Sequence, residues 1–232
     1  YLIALGEELG VEVPRTDSMA LGHPYVDICP PSVQNPAFLA SSAHRIPLRP
    51  VAFAAQGELP SWVVEHREPL VYLTLGTAFS EAALLRTAID GLAVLGARVL
   101  VSAGRKVDPE ALSDLPDNVV VRSWLRQGDL LPHADLVVHH GGAGTTMGTF
   151  GAGVPHLVLP QAADQFNNAE LVTGAGLGDH LLPEDVTAEA ITTRARRLLT
   201  DEAVRDAART MAAEVAAMPS PHDVARTLPD YA

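Results

Sequence analysis

From Pro69 onward, apolar runs of strand length alternate with segments whose apolar residues recur at helical spacing. This alternation is typical of a parallel β-sheet with helices on both faces, because parallel strands need crossover connections that lie over the sheet. The predicted strands cover residues 70–75, 97–104, 118–122, 135–139, 154–160 and 180–182. The predicted helices cover residues 81–96, 129–132, 165–173, 188–199 and 202–217, with another from near Thr145. The sequence therefore predicts an α/β protein with a Rossmann-like parallel sheet flanked by helices.

The segment before Pro69 differs, because prolines interrupt it repeatedly and only residues 25–29 form a convincing strand. Proline removes a backbone donor and ends regular structure, so this composition is typical of a connection. We divide the chain into residues 1–66, the tail of another domain plus a linker, and residues 67–232, the α/β domain. The chain starts at Tyr1 in what looks like the middle of an amphipathic helix, and we expect a processed or truncated chain.

Composition excludes several classes of protein. The chain has 28 acidic and 16 basic side chains, a net charge of −12, which disfavours broad attraction to nucleic acid or anionic lipid. Its one cysteine, Cys29, cannot form an internal disulfide, and no apolar run is long enough to span a bilayer. We expect a cytoplasmic protein that binds neither nucleic acid nor membrane. No Asp, Glu, Cys or His cluster has metal-ligand spacing, so we expect no metal.

A glycine-rich segment directly follows the predicted strand at 135–139. Gly141, Gly142 and Gly144 permit positive φ angles and a close approach of the backbone to a ligand. A helix is predicted to begin near Thr145, and the first turn of a helix has amide groups without internal partners at the positive end of its dipole. The main-chain amides around residues 141 to 145 are therefore predicted to bind a phosphate or diphosphate, most naturally that of a nucleotide.

Four motifs follow one another along the chain: Trp124, HHGGAGTT at 139–146, Gly-Val-Pro at 153–155 and Asp164-Gln165. Their order resembles the C-terminal half of a family 1 glycosyltransferase with the GT-B fold, in particular actinomycete antibiotic glycosyltransferases of the calicheamicin and macrolide type. The resemblance covers nearly the whole chain, with YVDICPPSVQ similar to the end of the N-terminal acceptor domain and RPVAF to the interdomain linker. It implies two facing Rossmann-like domains, of which residues 67–232 would bind the nucleotide-sugar donor.

His140 matches the family histidine that contacts the donor diphosphate. The main chain of Gly142, Ala143, Gly144 and Thr145 matches the family phosphate loop. An imidazole there can donate a hydrogen bond or add positive charge, and both favour departure of the nucleotide. The alternative is that His139 and His140 only end a strand and bond to nearby backbone, which is the interpretation we favour for His139.

Trp124 matches the segment that meets the nucleobase in this family, with Ser123 and Leu125 supplying main-chain contacts. It follows a predicted strand, and ligands of open α/β sheets bind at the carboxyl ends of strands. The alternative is an indole that fills space between helix and sheet. Arg126 stands where many plant relatives have a proline after the tryptophan, so the base pocket is expected to differ in detail.

The resemblance also assigns groups around the phosphates and the sugar. Thr77, in the turn after the first strand, is expected to donate to a phosphate oxygen, while nearby Ser80 could equally cap the next helix. Asp164 and Gln165 match the pair that hydrogen-bonds sugar hydroxyls, since a carboxylate accepts and an amide both donates and accepts. The alternative for Asp164 is an N-cap of the next helix.

Gly148 departs from the pattern of relatives that use uridine donors. Those proteins commonly have a glutamate at this position, eight residues after the phosphate histidine, that bonds the ribose hydroxyls. Thymidine donors carry 2′-deoxyribose and have fewer hydroxyls to satisfy. The resemblance thus implies an inverting glycosyltransferase that transfers a deoxysugar from a dTDP-sugar to a natural-product acceptor such as a polyketide antibiotic, with no cofactor and no metal.

No catalytic residue is assigned, because the family's general base lies in the N-terminal domain, which this sequence lacks. None of the remaining histidines matches the base, and each is expected to be an ordinary surface or core residue: His23, His44, His66, His133, His156, His180 and His222. Closure of two domains positions the acceptor and excludes water, so this half alone is expected to bind nucleotide and to transfer sugar poorly or not at all.

Three other functions compete with the glycosyltransferase interpretation. A non-catalytic nucleotide-sugar-binding subunit that needs a separate acceptor-binding chain would have the same sequence features. An epimerase is disfavoured because no acid and base pair is found, and a dehydrogenase because its glycine fingerprint is missing after the first strand. The segment 216–232 resembles the family's terminal helix that crosses back to the absent domain, and we expect it to be loose or to bind a second copy in a homodimer.

Overall fold

The computed structural model describes residues 2–11, 24–41, 45–51, 59, 61–76, 82–104, 112 and 114–231. They fall into two units, one made of Tyr1–Pro50 and Ala217–Ala232 and the other of Val51–Ala216. The strands are β1 (Tyr25–Asp27), β2 (Arg45–Pro47), β3 (Leu70–Thr74), β4 (Arg98–Ser102), β5 (Val119–Arg122), β6 (Leu136–His139), β7 (His156–Val158) and β8 (Gly178–His180). The helices are α1 (Leu2–Leu9), α2 (Pro36–Ser41), α3 (Ser61–Val64), α4 (Ala82–Ala93), α5 (Gln127–Leu130), α6 (Ala143–Ala152), α7 (Gln165–Gly174), α8 (Ala188–Thr200), α9 (Glu202–Ala217) and α10 (Pro221–Thr227).

In the larger unit, the described strands form one parallel sheet in the order β5-β4-β3-β6-β7-β8. Val71 of β3 lies opposite Val99 of β4 on one side and Leu136 of β6 on the other. The chain order thus reverses at β3, and the crevice beside such a reversal is where open α/β sheets bind ligands. The predicted fold class is confirmed.

The strands are buried on both faces, which explains why they read as continuous apolar runs. All five residues of β3 are buried. Val71 and Leu73 face a core cluster shared with α4 and α8, while Leu70 and Tyr72 face a second cluster shared with α3 and α5. Helices α4 and α8 pack closely at Gly91, where a Cβ atom would lie 2.5 Å from the carbonyl oxygen of Ala188.

In the smaller unit, β1 and β2 pair in parallel, with Val26 opposite Ile46. The prediction of a single strand in this region is therefore wrong. Asp27, only 2% exposed, links the elements, since its carboxylate accepts from the Cys29 amide at 2.9 Å and the Arg45 guanidinium at 3.0 Å. A three-residue strand ending in proline has no local signature, and β2 exists through this non-local pairing.

The element boundaries differ from the predicted ones by a few residues. Most strands are shorter than predicted, and α6 begins at Ala143 instead of near Thr145. Within the residues that the structure describes, no helix combines the length and the apolar character needed to cross a membrane.

Candidate functional site

The His140 imidazole lies in the crevice between the carboxyl ends of β3 and β6, flanked by two glycines. A Cβ atom at Gly76 would lie 2.7 Å from His140 Cε1, and one at Gly142 would lie 2.4 Å from His140 Nε2. Real side chains do not approach so closely, so the ring fits only because both positions are glycine. Gly76 also has a φ of 78°, which glycine adopts without strain.

The environment of His140 favours its neutral form. Burial lowers the pKa of the imidazole, while the Thr74 main-chain carbonyl and the Asp164 carboxylate oppose that shift without reversing it. Its Nδ1 atom is buried and forms no hydrogen bond to any described residue. A neutral imidazole has one nitrogen that donates a hydrogen bond and one that accepts, so this ring keeps hydrogen-bonding capacity that the described residues do not use.

The N-terminus of α6 opens at the same crevice. Gly142 occupies the N-cap position without any side-chain cap, and the first helical hydrogen bond runs from the Thr146 amide to the Gly142 carbonyl at 3.0 Å. The amides of residues 143–145 therefore have no partner within the helix. Ala143 and Gly144 are exposed, so this end of the helix is accessible to an anion.

The amide of Gly141 is not available to a ligand, which corrects the predicted start of the amide cluster. Gly141 has a φ of 87°, and its N–H donates to Nδ1 of the buried His139 at 3.0 Å. This bond matches the interpretation that His139 bonds to nearby backbone. The available amides begin at Gly142.

His156 of β7 contacts His139 from behind the glycine loop. His139 Nε2 and His156 Nδ1 are 3.0 Å apart, and the two rings are buried. Burial lowers the pKa of His139 well below its usual value and that of His156 to about 3, so both rings are neutral. No local pattern in the sequence connects two histidines 17 residues apart. The contact depends on the pairing of β6 with β7, in which Val137 lies opposite His156.

Asp164 precedes α7 and leaves its carboxylate exposed. It occupies the N-cap position, but its side chain forms no capping hydrogen bond, so the alternative role of N-cap is not observed. Asn168, one turn later, donates from Nδ2 to the Gly141 carbonyl at 2.8 Å and to Asp164 Oδ2 at 3.3 Å. Asn168 was not singled out from the sequence, although its i,i+4 spacing from Asp164 on a helix is a usable signal.

Gln165 has an internal role that the sequence did not predict. It is 4% exposed, and its side-chain oxygen accepts from the amides of Gln161 at 2.8 Å and Ala162 at 3.1 Å. Only its NH₂ group is therefore left for the predicted hydrogen bond to a sugar hydroxyl. Ala163, in the same turn, has a φ of 56°, a left-handed conformation that is uncommon for alanine.

Trp124 is 56% exposed at the end of β5, so the alternative in which it fills space between helix and sheet is wrong. Ser123 is also exposed, while Leu125 packs against the cluster formed with Leu130. Because β5 lies three strand positions from β6, the two sites are separated by about 14 Å, three spacings of about 4.8 Å. Thr77 and Ser80 lie outside the described residues.

Gln127, three residues after Trp124, contacts α6 through its side chain and was not singled out from the sequence. Its Oε1 lies 3.4 Å from the Thr145 hydroxyl, which donates to it. A Cβ atom at Gly148 would lie 3.7 Å from Gln127 Nε2 and 3.1 Å from Leu131 Cδ1. Gln127 and Leu131 thus line the space beside Gly148.

Two further observations concern other sites. No group of three or more His, Cys, Asp or Glu side chains among the described residues could hold a metal ion. An open groove of about 1160 Å³ runs along β8 and α8, away from His140. Its buried Asp179 already accepts from Arg194 at 2.8 Å and Arg197 at 2.6 Å, which makes the cluster a structural one.

Comparisons with known proteins agree with this geometry. Residues 86–230 match the family described as erythromycin biosynthesis protein CIII-like, C-terminal domain. The chain is 35% identical over 237 residues to the L-demethylnoviosyl transferase of Streptomyces niveus, which covers 98% of this chain and 61% of that protein.

Solved structures share the fold. The calicheamicin glycosyltransferase CalG4 superposes with a TM-score of 0.83 at 26% identity, covering 99% of this chain and 57% of that one. The glycosyltransferase SsfS6 of Streptomyces sp. SF2575, solved with thymidine diphosphate, gives a TM-score of 0.76 at 28% identity and covers 99% of this chain and 57% of that one. The chain thus spans less than two thirds of each of these proteins. The resemblance drawn from the motifs is confirmed.

Proposed function

We propose a function from one premise: the chain belongs to the family of the erythromycin biosynthesis protein CIII-like C-terminal domain. It is the donor-binding half of an inverting glycosyltransferase, which transfers a deoxysugar from a dTDP-sugar to a natural-product acceptor. The named relative is an L-demethylnoviosyl transferase and the solved neighbours are glycosyltransferases, and they support the reaction class.

The observation that carries the proposal is the pairing of the uncapped α6 N-terminus with the neutral imidazole of His140. The amides of residues 142–145 and the helix dipole favour an anion without a cation. The His140 imidazole lies beside this helix terminus, packed against Gly142, and we assign to it one hydrogen bond to the diphosphate. As the bond to the sugar breaks, negative charge grows on the diphosphate, and these groups stabilise it without reorganisation.

Sugar recognition is assigned to Asp164 and Gln165. The exposed Asp164 carboxylate accepts from sugar hydroxyls, and the Gln165 NH₂ group donates, because its oxygen is already engaged with the turn. The general base belongs to the part of the enzyme that binds the acceptor. The chain alone therefore binds the donor nucleotide but transfers sugar poorly or not at all.

Thymidine specificity is inferred from Gly148. No carboxylate is present there to bond a ribose 2′-hydroxyl, and the adjacent space is lined by Gln127 and Leu131. The thymidine diphosphate complex of SsfS6 concerns a protein with the same fold and supports the choice of nucleotide. We further propose a cytoplasmic protein that needs neither metal nor cofactor and that forms a homodimer through its C-terminal segment.

Calorimetric titration of the chain with dTDP, UDP and GDP, without divalent cation, tests the proposal. We expect dTDP to bind most tightly, and His140→Ala to weaken dTDP binding about tenfold, the loss of one hydrogen bond to a charged group. His133→Ala is the matched control, since His133 precedes β6 at the opposite edge of the sheet. Equal or tighter binding of UDP would refute thymidine specificity, and failure of all three nucleotides to bind would refute the donor site.

A further inference from the structure

Gly141 is held on both of its peptide groups by side chains. Its N–H donates to His139 Nδ1 at 3.0 Å, and its carbonyl accepts from Asn168 Nδ2 at 2.8 Å. A Cβ atom at this position would lie 2.9 Å from both the Gln165 carbonyl oxygen and Val158 Cγ1. The glycine is therefore enclosed, and its φ of 87° is maintained by its surroundings.

The hydrogen bond to His139 requires one tautomer of that ring. A main-chain N–H can only donate, so His139 Nδ1 must accept and its proton must reside on Nε2. That proton points to His156 Nδ1, 3.0 Å away, which must in turn be unprotonated. His156 thus selects the tautomer in which His139 can bind the Gly141 amide.

The hydrogen bond from Asn168 fixes the next peptide. In a planar trans peptide the C=O and N–H bonds point in opposite directions. Because Asn168 binds the Gly141 carbonyl from α7, the Gly142 N–H of the same peptide points away from α7. Gly142 is the first of the amides assigned to the diphosphate, so Asn168 sets the direction of the first donor.

We propose that three side chains act as positioning residues: His156, His139 and Asn168. They orient the peptides on either side of Gly141 and so fix the direction of the main-chain amides that bind the donor diphosphate. None of the three needs to touch the ligand. The inference rests on the proposed function, because the amides are of use only if an anion binds to them.

The test compares two substitutions at His156, the residue farthest from the loop. His156→Asn places an amide oxygen near the position of Nδ1 and retains the acceptor, whereas His156→Leu removes it. We expect His156→Leu to weaken dTDP binding about tenfold, since one oriented hydrogen bond is lost. His156→Asn should stay within about twofold of the wild type.

A second readout is the tautomer of His139, measured from the ¹⁵N chemical shifts of its ring nitrogens without ligand. The wild type and His156→Asn should show an unprotonated Nδ1, and His156→Leu should not. Phe150→Leu is the control for packing. The Phe150 ring lies edge-on to the His156 ring, with 5.1 Å between ring centroids, and it takes no part in the hydrogen bonds that link His156, His139, Gly141 and Asn168. This variant should lower the urea midpoint and leave dTDP affinity and the tautomer unchanged.

The possible results distinguish the positioning role of His156 from the proposed donor-binding function. If the wild type fails to bind dTDP, the proposed function falls, and the inferred role falls with it even where the tautomer is as expected. If the wild type binds dTDP but His156→Leu binds equally well, the inferred role is overturned and the proposed function stands. Equal losses of affinity in His156→Asn, His156→Leu and Phe150→Leu would show a structural effect and would also overturn it.

Discussion

Two regions of the sheet's carboxyl edge differ in how firmly they are built. The phosphate region, comprising residues 139–142 and 161–168, is held by hydrogen bonds between main-chain groups and side chains that are buried or half-buried. The base region, comprising residues 123–127, presents an indole that is 56% exposed. The difference indicates that the phosphate region is formed before a ligand arrives, whereas Trp124 is left exposed for the base that we propose to stack on it.

This contrast has a physical reason. Main-chain amides bind an anion well only if their directions are fixed in advance, because the backbone would otherwise lose conformational freedom on binding. An aromatic face tolerates some movement, since stacking depends weakly on lateral position. We therefore expect substitutions in the phosphate region to affect both stability and binding, and substitutions in the base region to affect binding alone.

The largest effect is expected from Gly142→Ala. The new Cβ atom would lie 2.4 Å from His140 Nε2, so the ring or the helix terminus must move. We expect dTDP binding to weaken at least about thirtyfold by calorimetry, roughly 2 kcal/mol. Gly151→Ala in the same helix is the control, because its Cβ would make an ordinary 3.6 Å contact with Val215. Unchanged binding by Gly142→Ala would remove the argument for a preformed phosphate region.

The buried histidine pair makes stability depend on pH. In the unfolded chain His156 takes up a proton below its ordinary pKa of 6.5, whereas in the fold its pKa is about 3. Stability is therefore unaffected above pH 6.5 and falls as the pH drops below it, by about 2 kcal/mol for His156 between pH 7.5 and pH 5. His139 acts in the same direction. Urea unfolding at the two pH values measures the loss.

His156→Asn is the control for this pH effect, since it removes one of the two titrating rings. The variant should lose less stability than the wild type over the same interval. An identical pH dependence in both proteins would contradict the assignment to His156.

Trp124→Ala tests the base region. We expect dTDP binding to weaken about tenfold, within the range found for one base stacked on an aromatic ring. Inorganic pyrophosphate should bind as before, because it has no base. The urea midpoint should hardly change, since the indole is largely exposed. A clear loss of stability, or an equal loss of pyrophosphate binding, would show that the two regions are not separate.

The smallest effect is expected from Ala163→Gly. Alanine at a φ of 56° carries strain of about 1 kcal/mol, and glycine relieves it but adds freedom to the unfolded chain. We expect a net gain of about 0.5 kcal/mol in the free energy of unfolding, measured with urea. Ala162→Gly next to it should destabilise instead. A loss of stability in Ala163→Gly would show that the turn around Asp164 is not strained.

The features predicted from the sequence are those with a local signal. Periodicity located the strands and helices of the larger unit, and the run from Asp135 to Thr145 predicted a strand, a glycine turn and a helix terminus. His140, directly before the glycines, was identified because it matches the family histidine. Its assigned contact with a diphosphate, like the roles of Trp124, Asp164 and Gln165, stays a prediction.

What the sequence missed depends on distant partners. Strand β2 forms because it pairs with β1, and its three residues carry no signal of their own. Gln127 lies near Gly148 through the packing of α5 against α6.

The sequence by itself determined an α/β chain in which a glycine turn joins a buried strand to a helix N-terminus, because hydrophobic period and glycine act over a few residues. Only the tertiary structure decided which side chains orient that turn. His139, His156 and Asn168 meet around Gly141 because strand register and the docking of α7 bring them together, and a hydrogen bond of 3 Å requires that level of positional detail.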